Sequence, residues 1–330
     1  MLPVGTYVWP DHEEQLNITL NQINNNTYNA SLFPKISTTL ELSESNLLAL
    51  ITYDGALSIP MCQAFPDANT AVNTINKIEG ALFLGGIQLN PTDHKSIECG
   101  SLSEVGQNIH SYVTTAHNRF RTHSASISER IILSAPNYIK VSDFHSAFTT
   151  GLNILNKINN LSPIYIIKGH NALVAWDLSD SLSNLWISVE QLTSYLWHNN
   201  FLVNLHNFPQ KVQRKYSLLK NTNSDWKISK RLTLLSQVSL ITQVELSVLD
   251  VAREERNKLV HSGAIPNFEV VESLWFSLLS LLERHSGTSI SSLKLRTSES
   301  NNKFRKHYPP GFADVRSVNN TAFPEWPTKD

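Results

Sequence analysis

Beyond about residue 176 the apolar residues recur at the spacing of one helix face, and that periodicity restricts this half of the chain to packed helices. Leu182, Leu185, Trp186, Val189, Leu192 and Leu196 form one stripe, on a helix that Asp180 is placed to cap. A second candidate helix follows Pro209 and runs to about residue 219, and a third covers residues 226–235. A long fourth helix is expected over residues 239–260, with Ile241, Val244, Val248, Val251, Ala252 and Leu259 on its buried face and Gly263 as its stop. Asn267 stands where it caps a last helix, whose stripe is Val270, Val271, Leu274, Trp275, Leu278, Leu281 and Leu282. Five of the seven tryptophans lie between Trp176 and Trp275, as a compact apolar core requires. Stripes of this kind bury only against one another, so they predict an all-α helical bundle.

The first half has a different character. Apolar runs at residues 47–52, 82–89, 130–133 and 163–167 read as strands, and residues 68–78 and 142–155 read as helices. The end of the chain is polar and carries Pro309, Pro310, Pro324 and Pro327. The expected organisation is an α+β domain over residues 1–175, the all-α bundle over 176–285 and a polar C-terminal tail over 286–330.

Composition narrows the function classes. The net charge of −1 supplies no global basic field, so any attraction for a polyanion must be local. Cys62 and Cys99 are the two cysteines, too few for a disulfide framework and without zinc-motif spacing. A reducing compartment follows. The N-terminus lacks a basic segment leading into an apolar one, and the most apolar stretch, residues 273–282, is far shorter than a membrane span. The expectation is a cytoplasmic protein with no membrane partner. Phosphate-binding glycine loops, a Gly-x-Ser-x-Gly elbow and His-x-x-x-His or Cys-x-x-Cys pairs are absent, so no cofactor or metal is expected. Asp93-His94 and Asp143-Phe144-His145 are acid–His pairs of a kind common in loops and at helix starts.

One segment carries chemistry. Residues 251–263 read Val-Ala-Arg-Glu-Glu-Arg-Asn-Lys-Leu-Val-His-Ser-Gly, so Arg256 is followed by Asn257 and, after four intervening residues, by His261. The segment ends a long amphipathic helix, just before a Gly-containing turn and another helix. With Ile241 at zero and about 100° per residue, the expected apolar stripe spans about 280° to 20°. Arg253, Asn257 and His261 then fall near 120°, 160° and 200°, and Arg256 near 60°, so the polar row points away from the expected core.

The arrangement resembles the Arg-polar-x-x-x-His signature of HEPN domains. Leu185-Trp186-Ile187-Ser188-Val189-Glu190-Gln191-Leu192 resembles the first helix of such domains in abortive-infection proteins, where an apolar stretch leads into a Glu. The resemblance covers roughly residues 177–284 and not the N-terminal half. It implies a ribonuclease with its site at a dimer interface.

These residue types suit RNA cleavage without a metal, in which the ribose 2′-OH attacks its own phosphate. An imidazole transfers protons near neutral pH, which fits His261. A guanidinium is a planar, permanent cation that forks onto phosphate oxygens, which fits Arg256 and, as a second contact, Arg253. Asn257 shares a face with His261 and can orient it or the sugar. Glu190, at the border of its own helix's stripe, can pair with Arg256 and aim it. Between Phe208 and Arg231 stand Lys211, Arg214, Lys215, Lys220, Lys227, Lys230 and Arg231, opposed only by Asp225 and interleaved with Tyr216 and Trp226. They form a candidate local RNA patch.

The reading that follows is an endoribonuclease acting as a homodimer in antiviral defence, a toxin-like effector whose N-terminal half senses a trigger, phage-derived or cellular, or restrains the nuclease. The alternatives are a non-catalytic RNA- or partner-binding dimerisation module, and a chain whose main activity lies in the N-terminal half.

Overall fold

A computed structural model of the chain describes residues 6–12, 35–42, 47–60, 62–89, 91–92, 97, 100–102, 109–111, 137–211, 213–214 and 227–290. It has a mixed α/β N-terminal region with small sheets and a helical C-terminal part. Two compact units divide at Leu152/Asn153. The expected strand at residues 130–133 and the Asp93-His94 pair lie outside the described residues.

In the first unit, β1 (Thr6–Trp9) pairs in parallel with β7 (Asn137–Lys140), Val8 opposite Ile139. An antiparallel meander joins β2 (Ile36–Leu42), β3 (Leu47–Thr52) and β4 (Leu57–Ser58), and β5 (Gly100–Leu102) pairs antiparallel with β6 (Ile109–Ser111). β3 matches its expected run. Gly55 turns β3 into β4 with a φ of 77°, a conformation glycine takes without steric cost.

Helix α1 (Ala68–Leu84) starts at Asp67, whose carboxylate accepts the Thr70 N–H at 2.8 Å. It absorbs part of the run at residues 82–89 that was expected to be a strand. Every residue from Ile78 to Leu84 is buried. A run buried on all sides looks the same in sequence whether it is strand or helix. Inside α1, Glu79 and Asn76 are buried and hold Thr92: Thr92 Oγ1 donates to Glu79 at 2.6 Å, and Asn76 Nδ2 donates to the Thr92 carbonyl at 2.9 Å. Helix α2 (Val141–Lys157), close to its expected limits, crosses the end of α1 at a distance only glycine permits. A Cβ on Gly85 would lie 1.9 Å from the Ala147 carbonyl oxygen, and one on Gly151 would lie 1.8 Å from that of Ala81. His145, of the Asp143/His145 pair, bonds Thr38 Oγ1 at 2.8 Å, and Asp143 is exposed in the first turn of α2.

The second unit holds α3 (Pro163–Val174), α4 (Leu178–Tyr195), a π-helical continuation (Leu196–Leu202), α5 (Ile228–Gln237), α6 (Gln243–Ser262) and α7 (Phe268–Ser286). The division at Leu152/Asn153 thus lies well before the expected boundary at 175, because α3 is part of the bundle. Residues 163–167, expected as a strand, are the first turns of α3. Pro163 takes the first helical position, and the Gln191 side chain accepts the Ser162 N–H at 2.9 Å. The fit of α3 on α4 is close: a Cβ on Gly169 would meet Leu185 Cδ2 at 2.6 Å, and Ser181 Oγ donates to the Gly169 carbonyl at 2.7 Å.

The stripes expected on α4 and α7 are buried at Leu182, Leu185, Trp186, Val189, Leu192, Leu196, Val271, Leu274, Trp275, Leu278, Leu281 and Leu282. Asp177 caps α4 rather than Asp180. Of the helix expected after Pro209, residues 210–211 and 213–214 are helical and the rest lies outside the described residues. Among the described residues no helix is long and apolar enough to cross a membrane.

Candidate functional site

Helix α6 begins with a capping box. Thr242 Oγ1 accepts the Glu245 N–H at 3.1 Å, and the Glu245 carboxylate accepts the Thr242 N–H at 2.9 Å. That carboxylate also takes both nitrogens of the Arg284 fork, Nη1 at 2.9 Å and Nη2 at 2.5 Å. Next to Arg284, His285 Nε2 bonds the Leu240 carbonyl oxygen at 2.9 Å. The start of α6 is therefore locked to the end of α7. At its other end α6 stops at Gly263, with a φ of 68°.

This lock rotates α6 relative to the sequence expectation. Its buried residues are Glu245, Leu249 and Ala252. Ile241 is buried but precedes the helix, whereas Val244 and Val251 are 75% and 46% exposed. With Glu245 at zero, Leu249 falls near 40° and Ala252 near −20° at about 100° per residue. The core face is thus turned by about 80° from the valine stripe. The physical reason is that a carboxylate with all its bonds satisfied can sit at the centre of a buried face, which a purely apolar pattern does not anticipate.

The turn changes where the candidate residues point. Arg256 falls near 20°, almost at the centre of the bundle-facing side, and Arg253, Asn257 and His261 fall near 80°, 120° and 160°. Arg256, Arg253 and Asn257 are half-buried and His261 is exposed. Arg256 and His261 are about 140° apart around the helix and about 7.5 Å apart along it, so one helix does not bring them onto a single face.

Charges along α6 are mostly paired. Arg253 reaches Asp250 at 3.4 Å and Glu254 at 4.0 Å, and Lys258 donates to Glu255 at 2.7 Å. Arg256 and His261 have neither hydrogen bond nor ion pair among the described residues. Glu190 does not pair with Arg256. It accepts the Trp186 indole N–H at 2.7 Å within its own helix. Trp186 is buried and its N–H needs an acceptor, which fixes the Glu190 carboxylate on α4.

Around His261 the chain is open. Residues 260–265 are all exposed, among them Val260 at 59% and Ile265 at 75%.

Within the basic cluster, Lys211, Arg214, Lys227 and Lys230 are exposed. Arg231 instead turns inward: its guanidinium lies 5.6 Å from the centroid of the buried Trp197 ring, and its Nε is buried with no partner among the described residues. It is not a surface phosphate contact. Lys215, Tyr216, Lys220 and Trp226 lie outside the described residues.

No family model, curated protein or solved structure matches this chain.

Proposed function

We propose that the chain is an endoribonuclease of HEPN type that acts without a metal, as a homodimer, in cytoplasmic defence. The observation that carries this is the selective pairing along α6. Asp250, Arg253, Glu254, Glu255, Lys258 and Glu245 all have partners, whereas Arg256 and His261 have none among the described residues. A half-buried guanidinium without a partner is a cost to the fold that an anionic substrate removes.

In this mechanism a base takes the 2′-OH proton and the 2′-oxygen bonds to phosphorus. The bond to the 5′-oxygen breaks, and an acid protonates that oxygen. The products are a 2′,3′-cyclic phosphate and a 5′-OH, and DNA, lacking the 2′-OH, is no substrate. His261 transfers protons and Arg256 neutralises the crowded phosphate. Acid and base act on opposite sides of the phosphate, so two imidazoles serve better than one. A twofold partner supplies the second and covers Val260 and Ile265. Asn257 and Arg253, on the flank between Arg256 and His261, orient the sugar and contact a neighbouring phosphate. Lys211, Arg214, Lys227 and Lys230 hold the strand. Sensing a trigger or restraining the nuclease falls to the N-terminal unit.

A second reading, an RNA- or partner-binding dimerisation module without catalysis, draws support from the roughly 140° between Arg256 and His261 on their helix. One experiment separates the two: purified chain on mixed cellular RNA in EDTA, wild type beside His261→Ala. Cleavage by wild type that leaves cyclic-phosphate ends and vanishes in the variant is the expected result. Equal cleavage by both, or none by wild type even when expressed in cells without toxicity, overturns the nuclease reading.

A further inference from the structure

Four helices of the second unit end in a left-handed residue. Gly263 and Gly287 close α6 and α7 with φ of 68° and 71°, whereas Ser239 after α5 and Trp176 after α3 take 62° and 61°. At Trp176 the chain turns with two returning bonds, Trp176 N–H to the Leu173 carbonyl at 3.1 Å and Asp177 N–H to that of Ala172 at 2.9 Å. This is the cap geometry that favours glycine. A bulky aromatic residue there implies that its side chain has work that glycine cannot do.

The indole supplies the reason. Its ring stacks on Phe268, with centroids 4.8 Å apart and planes 18° apart. Its Nε1 is buried and has no acceptor among the described residues, so hydrogen bonding there does not explain the tryptophan and the ring face does. Phe268 is the first residue of α7, and a turn of five residues, Gly263 to Asn267, joins it to the last turn of α6, where His261 sits. Within that turn only Pro266 is buried. The stack therefore holds the far side of an otherwise open turn.

We infer that Trp176 is a positioning residue: it pins Phe268, and through the turn fixes the last turn of α6 and the direction of the His261 imidazole. As a statement about catalysis this rests on the ribonuclease reading. As a statement about the turn it does not.

The test compares three variants of the full chain with wild type. Trp176→Gly suits the backbone and removes the ring. Trp176→Phe keeps a ring face and drops the idle N–H. Ser239→Gly makes the same kind of backbone change at a cap that has no such stack. Amide exchange is followed at residues 260–268 and, as the reference, at the buried residues of α4. Trp176→Gly is expected to raise exchange in 260–268 about tenfold over the reference, with Ser239→Gly and Trp176→Phe within about twofold of wild type. In RNA cleavage, Trp176→Gly lowers kcat about tenfold with KM within about twofold.

Unchanged exchange in Trp176→Gly, or equal impairment in Trp176→Phe, overturns the pinning. Raised exchange with unaltered kcat overturns the catalytic role. A wild type that does not cut sinks the ribonuclease reading, while the exchange pattern still decides the pinning.

Discussion

Replacing Arg256 by methionine should make the protein more stable and less active at once. Arg256 lies about 20° round α6 from Glu245, and so within about 15° of the centre of the face that meets the bundle. It is half-buried, and no acceptor among the described residues compensates its charge. Methionine has a similar unbranched stem and a similar helix propensity, so the backbone is unaffected and the charge is the main loss. If the change lets roughly 40 Å² more of apolar surface pack, the gain at about 25 cal/mol per Å² is about 1 kcal/mol. The assay is urea unfolding followed by tryptophan fluorescence, with the slope checked to be constant so that the midpoint reports stability. On the ribonuclease reading cleavage falls by about 100-fold or more, as it does when a preorganised charge on the reacting group is lost. Destabilisation by more than about 1 kcal/mol at constant slope refutes the reasoning, because it means that the guanidinium serves the fold. Full activity with raised stability refutes its place in the site.

Two further perturbations test the scaffold. Glu245→Gln removes the charge that joins the α6 cap to Arg284, and should cost about 2 kcal/mol near pH 7; this is below the range for a fully buried pair because the Arg284 side chain is 37% exposed. Burial raises the Glu245 pKa, but the Thr242 N–H and the Arg284 guanidinium outweigh it and hold the carboxyl below its ordinary 4.5. Its contribution is complete above that value and is lost as pH falls through the folded one. His285 is lowered from 6.5, chiefly by burial, so the fold favours its neutral form and stability drains as pH falls below 6.5. Unfolding measured at several pH values should therefore show two stages of acid loss in wild type and a smaller second stage in Glu245→Gln, where Asp11 and Asp67 still titrate below their ordinary value; an unchanged second stage contradicts the assignment. Gly151→Ala drives a Cβ to 1.8 Å from the Ala81 carbonyl oxygen, a backbone atom that cannot rotate away. It should destabilise α1 and α2 by about 3 kcal/mol, read by their amide exchange, and a cost under about 1 kcal/mol refutes the close crossing.

The bundle was legible where one apolar stripe does one job. On α4 and α7 the expected residues are buried except the half-buried Val270, and Gly263 and Asn267 stand at the ends they were expected to mark. Legibility failed where burial is not apolar or not periodic. The face of α6 was misread because Val244 and Val251 are exposed while Glu245 is inside, although the Thr242-x-x-Glu245 capping box was a visible signal of both the helix start and the fixed carboxylate. Residues 163–167 are too short a run to separate strand from helix. The left-handed caps at Trp176 and Ser239 carry no residue signal, because neither position is the glycine that usually marks such a cap. Of the candidate site, the motif and its place at the end of α6 were readable. The inward Arg231 was not, because it depends on the Trp197 ring, whose position is a tertiary fact, whereas the Trp186–Glu190 bond is an i,i+4 pair on one helix that the spacing offered and the reading passed over.

The direction of Arg256 and His261 bears on what an active assembly must look like. On one helix they diverge by about 140°, so a phosphate held by the guanidinium of a monomer would not meet the imidazole of the same chain squarely. A second helix end brought up by a twofold axis changes this, since each imidazole can then face the guanidinium contributed by the other chain. Residues 260–265, the end of α6 and the start of the turn after it, are exposed and open to such a copy, and Val260 and Ile265 provide apolar surface for it to cover. The divergence that weakens a one-chain site is therefore the feature that makes a two-chain site sensible. It ties the ribonuclease reading to dimerisation: a variant that keeps Arg256 and His261 but carries Ile265→Asp should lose cleavage together with the dimer, and a fully active monomer would refute the link.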